Sequence, residues 1–160
     1  MTESPPPLAT AQPYQDWAQF EQHAGGVVSA LRDYSRAVDA AGLDKGLVEL
    51  LKLRASQING CAFCLQFHLN LARKLSVPQR QLDQLAAWRD SPAFSARERA
   101  ALAWAEALTR MAVAPVEAGL YENLQTQFSE AEIANLTAAI AAINAWNRIA
   151  GALRFTPPGG

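Results

Sequence analysis

The sequence of 160 residues contains only two cysteines, two histidines and two methionines. A secreted disulfide scaffold would spread several cysteines along the chain to close long loops. Here the two are Cys61 and Cys64, three positions apart. A bridge between them would close almost no loop and add little stability. The pair therefore points to reactivity or metal binding rather than to stapling.

Long apolar runs are also missing, and nothing here would span a bilayer as a helix. The nearest candidate, Ile133 to Asn147, has no charge but is short, alanine-rich and interrupted by Asn135, Asn144 and Asn147. It reads as a buried core helix. The opening MTESPPPLATAQP has neither a basic start nor an apolar stretch, so it does not read as a secretory signal. The expected compartment is the cytoplasm. The formal net charge is -1 with both signs interspersed. No basic stripe marks a nucleic-acid partner, and no basic face marks a membrane partner.

Strand signals are absent too, since no run of β-branched residues alternates with polar ones. What is present is helical periodicity. Residues 1–13 read as a flexible, proline-rich tail, 14–155 as one helical domain, and 156–160 as a short C-terminal tail. A helical region from Tyr14 to Ala41 breaks near Gly25-Gly26. A second helix runs from Asp44 to Ile58 and ends at Asn59-Gly60, a turn signal. The third runs from Cys61 to Leu75. Ser76-Val77-Pro78 then reads as an N-cap region with proline in the first turn, opening a helix to Arg89. Ser95 and Glu98 have capping-box spacing and open a helix to Val113. Pro115 starts another, to Phe128. Ser129 and Glu132 repeat the capping box before a final helix to Leu153. The expected fold is an all-α single-domain bundle of six to eight helices, and the last helix, apolar nearly all round, should be central.

The chemistry concentrates at Cys61, Cys64 and His68. Positions i, i+3 and i+7 share one helix face, together with Leu65, Ala72 and Leu75. Both cysteines fall where unsatisfied backbone N–H groups and the helix dipole favour a thiolate. His68 is one turn past Cys64 and could take its proton or stabilise the anion. Burial pushes a thiol pKa up, against both effects. A sulfenic acid on one cysteine could condense with the other. Glu49 lies twelve residues before Cys61, and a hairpin through Asn59-Gly60 could bring it over the pair. Its own helix face reads as polar, with Lys45 and Lys52 at i-4 and i+3, so an exposed ion pair is the competing reading. Glu49 joins the site only if another helix or subunit covers that face.

At these residues the sequence resembles the AhpD-like alkylhydroperoxidases of the carboxymuconolactone decarboxylase superfamily. The pattern Glu-x11-Cys-x2-Cys-x3-His falls on Glu49, Cys61, Cys64 and His68, flanked by SQINGCAFC and by INAWNR from Ile143 to Arg148. The resemblance covers roughly residues 20 to 155. It implies an AhpD-like helical bundle and a homo-oligomer, a trimer or hexamer. It implies hydroperoxide reduction without a cofactor or metal, with an external dithiol reductant such as a lipoyl or thioredoxin-like protein. By it Cys64 attacks the peroxide, Cys61 resolves, and His68 with Glu49 relays the proton. One position departs: Phe63 stands where the best-studied branch has a second histidine. The superfamily's decarboxylases generally lack the cysteine pair.

Other readings of the same residues are a buried structural pair, a zinc site with Glu49 or His23 as fourth ligand, and a redox-responsive interaction protein whose CxxC switches oligomer or partner state. A thioredoxin-type site would need a neighbouring βαβ pattern. Asn144, Asn147 and Arg148 read as interhelical hydrogen-bonding residues. Trp88, Trp104 and Trp146 read as core or interface residues, and Phe63 with Phe67 as a subunit contact.

Overall fold

The computed structural model describes residues 12–159. Most of the proline-rich stretch expected as a tail, residues 1–11, lies outside the described residues. Eight α-helices follow one another: α1 Trp17–His23, α2 Gly25–Ala40, α3 Lys45–Asn59, α4 Ala62–Lys74, α5 Gln79–Gln84, α6 Ala96–Thr109, α7 Ala118–Gln125 and α8 Glu130–Leu153. A single 3-10 turn, Leu85–Ala87, extends α5. Among the described residues there is no strand. The all-α expectation holds, as does the break before Gly25-Gly26, where Ala24 leaves helical geometry.

The helix starts are written in short polar side chains. Ser95 and Ser129 each accept from the backbone N–H three residues on, and Glu98 and Glu132 reach back to complete the capping boxes. Asp16 does the same with Gln19. Asp44 Oδ1 accepts from the Leu47 N–H at 2.7 Å. Gly60 ends α3 with φ 67°, a left-handed conformation that only glycine adopts without a Cβ penalty.

Several boundaries differ from the sequence reading, among them the ends of α5 at Gln84 rather than Arg89 and of α7 at Gln125 rather than Phe128. Ser76 does not cap α5. It sits at φ 59° just past α4, and the Ser76 and Val77 N–H groups close back on the Arg73 and Ala72 carbonyls. That is a Schellman ending on a non-glycine residue. Helix α6 stops at Thr109 rather than Val113. The Thr109 hydroxyl takes the Ala105 carbonyl at 2.7 Å, and Met111 and Val113 beyond it are exposed, so no burial rewards another turn. Helix α7 starts at Ala118 rather than Pro115, after Glu117 in extended geometry.

Helix α3 sits in the middle, packed against α4, α6 and α8. Leu47, Leu50, Leu51 and Leu53 fill the main core with Leu102 and Ala105 of α6, Leu124 of α7, and Leu136 and Ile140 of α8. The expected central position of α8 also holds, since it packs on α2, α3, α4, α6 and α7. Trp88 and Trp104 are core residues whose indole N–H groups donate to Glu106 and Thr137. The polar stripe expected on α3 is covered in part: Glu49 and Ser56 are 5% and 1% exposed and Lys52 is half-buried, while Lys45 stays exposed. No helix is long and apolar enough to cross a membrane, among the described residues.

A second, smaller cluster encloses the thiols. Cys61 and Cys64 pack with Ala55, Ile143, Ala150 and Phe155, and Trp17, Phe20, Phe63 and Trp146 close over them. Phe63 stacks on Trp17 at 6.4 Å between ring centroids and meets Phe155 edge-on at 5.3 Å. Phe63 is thus half-buried within the chain, while its neighbour Phe67 is 44% exposed.

Candidate active site

The turn between α3 and α4 places the thiols. Cys61 is the N-cap of α4, and its sulfur accepts from the Cys64 N–H at 3.3 Å. Cys64 is one turn into the helix. Both are free thiols and both are buried. The face expected from the sequence is therefore the interior one, with His68 and Ala72 on it, although Leu75 at its far end is exposed.

The two sulfurs differ sharply in acidity. A hydrogen bond from the Cys64 thiol leads the forces that bring Cys61 down from an ordinary 9.0 to about 7. Burial opposes it, and the Cys64 and Phe63 backbone N–H groups and the Asn147 side chain assist. Cys64 moves the opposite way, held protonated by its bond to Cys61 and by burial. The Cys64 thiol thus donates toward Cys61, and the sulfur favoured as the anion is the one at the helix N-terminus.

Glu49 does reach the site. His68 Nδ1 lies 2.7 Å from Glu49 Oε2, and Lys52 Nζ lies 3.0 Å from Glu49 Oε1. Burial by itself would raise the Glu49 carboxyl. His68 and Lys52 together outweigh it, and the carboxyl titrates below its usual range. An ionised Glu49 makes Nδ1 the protonated nitrogen of neutral His68, which leaves the Nε2 lone pair as the base. The condition set by the sequence is met inside one chain, because α4 lies over the polar stripe of α3.

Asn147 of α8 belongs to the same assembly. It is 4% exposed, its amide donates to Ser56 Oγ at 3.0 Å, and its oxygen accepts from Asn59 Nδ2 at 2.8 Å. Asn144 accepts from the same Asn59 nitrogen and donates to Thr109. The interhelical role expected of Asn144 and Asn147 holds. Asn147 also bears on the thiols, since its side chain is among the groups that draw Cys61 down. Its place in the INAWNR segment was the available signal.

Two hollows flank this assembly. One, of about 310 Å³, opens over Cys61 between Phe63 and Phe155. The other, of about 210 Å³, reaches Glu49 from the far side, between Lys45 and Lys74. Among the described residues, no group of three His, Cys, Asp or Glu side chains is arranged to hold a metal ion.

Fold and site together define an all-helical protein with a buried dithiol at a helix start and a Glu–His pair beside it. The chain belongs to the carboxymuconolactone decarboxylase family, whose model matches residues 26–107, and within it to the AhpD-like group. The matched stretch includes Glu49, Cys61, Cys64 and His68. The uncharacterized protein YdfG of Bacillus subtilis (strain 168) is 32% identical over 123 residues, covering 77% of this chain and 84% of that protein. A solved structure from Agrobacterium tumefaciens, ATU0492, superposes with a TM-score of 0.88 at 34% identity, over 93% of this chain and all of that one. Its function is unknown, and it is provisionally described as an AhpD antioxidant defence protein. The debrominase Bmp8 shares the fold, with a TM-score of 0.78 at 21% identity over 86% of this chain and 74% of its own.

Proposed function

We propose that this protein is a thiol-dependent hydroperoxide reductase that cycles Cys61 and Cys64 between dithiol and disulfide. The observation that carries this reading is the pair of buried free thiols three residues apart at the start of α4, with His68 one turn on and bonded to Glu49 at 2.7 Å.

In the first step a thiolate attacks the terminal oxygen of R–O–O–H. An S–O bond forms, the O–O bond breaks, and the alkoxide leaves as alcohol after taking a proton. His68 Nε2, having first taken the proton of the attacking thiol while Glu49 holds Nδ1, returns that proton to the alkoxide. The second sulfur then attacks the sulfenic acid. An S–S bond forms, the S–O bond breaks, and hydroxide leaves as water with the remaining proton. The peroxide is reduced by two electrons and the dithiol is oxidised by two. An external dithiol, such as a lipoyl or thioredoxin-like protein, restores the pair by exchange.

Cys61 as the attacking thiolate is supported by its place in the lining of the larger hollow and by the Cys64 bond that draws it down. The opposite order, Cys64 attacking and Cys61 resolving, is what resemblance to the family implies. Peroxide consumption with dithiothreitol, measured for wild type, Cys61→Ser and Cys64→Ser, separates the two. With single-turnover peroxide, the variant that keeps the attacking sulfur still forms a sulfenic acid, and the other does not. Wild-type protein that consumes no hydroperoxide under these conditions would overturn the reading.

A second reading is favoured by the cover over the thiols. Trp17 and Phe155 belong to segments far apart in sequence that meet on this cluster. A disulfide forming beneath them would disturb that packing and could alter a partner surface. In that case oxidation changes mass in solution while turnover stays negligible. Exposed Phe67, next to Phe63, is where we place a contact with a second copy in a trimer or hexamer. The reducing cytoplasm suits a cycle that must return to the dithiol.

A further inference from the structure

The hollow over Cys61 is apolar except at its rim. Cys61, Phe63, Gly151, Arg154 and Phe155 are among the residues that line it. Arg154 is the one charged residue lining it. Among the described residues Arg154 takes part in no ion pair. It also occupies the C-cap of α8 at φ 58°, a left-handed position where glycine is the usual occupant. A long cationic side chain held there against backbone preference marks the position as one with work beyond ending a helix. Its guanidinium carbon lies 4.4 Å from the Tyr14 ring centroid. Stacking of this kind occupies the flat face of a guanidinium and leaves its in-plane N–H groups free to meet an anion.

A volume of about 310 Å³ is at the small end of ligand pockets and suits one substituted ring. Resting on the hydroperoxide reading above, we propose that the hollow over Cys61 admits a small aryl or branched alkyl hydroperoxide that carries a carboxylate. The peroxide end lies at Cys61, the hydrocarbon body between Phe63 and Phe155, and the carboxylate on Arg154. Specificity then resides in the rim cation, since the apolar walls accept any hydrocarbon of this size. Cys61 and Arg154 both line the same hollow, so one molecule can meet both.

The test uses para-carboxycumyl hydroperoxide and its methyl ester, which differ in charge at one end. Wild-type protein should show kcat/KM roughly tenfold higher for the acid. In Arg154→Gly, which suits the backbone, the ratio should fall to about one, and Arg154→Lys should keep part of it. A second arm needs no turnover: binding of the two product alcohols, read by tryptophan fluorescence, with Trp17 stacked on the wall residue Phe63. The acid alcohol should bind more tightly in wild type, and the preference should vanish in Arg154→Gly. Equal handling of acid and ester by wild type in both arms, or a preference unchanged in Arg154→Gly, overturns the inference. If neither peroxide is consumed but the Arg154-dependent binding preference persists, the peroxidase reading fails and the carboxylate pocket stands.

Discussion

His68 Nδ1 and Glu49 Oε2 are 2.7 Å apart across the packed faces of α4 and α3. Neither residue is positioned by its immediate neighbours in sequence. The α3–α4 turn at Gly60 folds the two helices onto each other and brings the imidazole over the carboxylate. The pair should act as one unit. Glu49→Gln and His68→Ala should each lower peroxide turnover by about 10²-fold. The double variant should be scarcely worse than either alone, because both changes break the same relay. Steady-state rates for the four proteins give the coupling directly, and additive losses would show that the two residues act separately.

Alkylation of the thiols should depend on pH in a way that identifies Cys61. Its reactivity should rise through a midpoint near 7, because the hydrogen bond from Cys64 draws the Cys61 thiol down to about that value. Cys64→Ala removes the largest force lowering Cys61, so the midpoint should move up by about one pH unit or more. Asn147→Ala should move it in the same direction by less. Iodoacetamide kinetics with mass readout on each cysteine measure this. The sign for stability follows. A folded value below the unfolded one means the thiolate's contribution is full above about 9 and is lost as pH falls through about 7.

A second buried carboxylate governs acid stability. Glu106 is 2% exposed and is bonded by Arg54 Nε at 2.6 Å, Trp88 Nε1 at 2.9 Å and the Arg89 guanidinium. Burial would raise it, but these three donors hold it at about 2. Its stabilisation is present above the ordinary carboxylate value and disappears as pH falls toward 2. Glu106→Gln should cost roughly 3 kcal/mol at neutral pH and flatten the acid limb of the stability curve. Urea unfolding from pH 7 down to pH 3 checks both. An acid limb unchanged from wild type would mean that another group controls it.

Ser76 offers a gain instead of a loss. It holds a left-handed conformation at φ 59° on an exposed turn. Ser76→Gly relieves the Cβ conflict, and unfolding free energy should rise by about 0.5–1 kcal/mol. Peroxide turnover should not change, since Ser76 is remote from the thiols in the sequence of α4. Thermal or urea denaturation measures the gain.

These four cases show where sequence reading succeeds and where it stops. The CxxC and His68 were legible because one helix carries all three, and local periodicity sets their common face. Glu49 was legible only conditionally, for its stripe of Lys45, Lys52 and Ser56 looks solvated until α4 and α8 cover part of it. Glu106 gave no signal, because Arg54 and Trp88 come from α3 and the loop before α6. The Thr109 stop was missed because a threonine hydroxyl can either tolerate a helix or compete with it, and the exposure of Met111 and Val113 settles which. Ser76 was misread because a serine before proline suits a helix start as well as a turn. The aromatic cover over the thiols was invisible, since Trp17 and Phe155 lie at nearly opposite ends of the chain.

That last arrangement has a consequence during synthesis. The Tyr14 N–H donates to the Leu153 carbonyl at 3.0 Å, and Trp17 meets Phe155 edge-on at 5.9 Å. The thiols appear early on the ribosome, with α4, but their cover needs residue 155. Between the emergence of Cys64 and that of Phe155, a nascent chain carries both thiols without the rings that later enclose them. The dithiol is therefore more open to stray oxidants over that interval than once Phe155 has packed against Trp17 and Phe63.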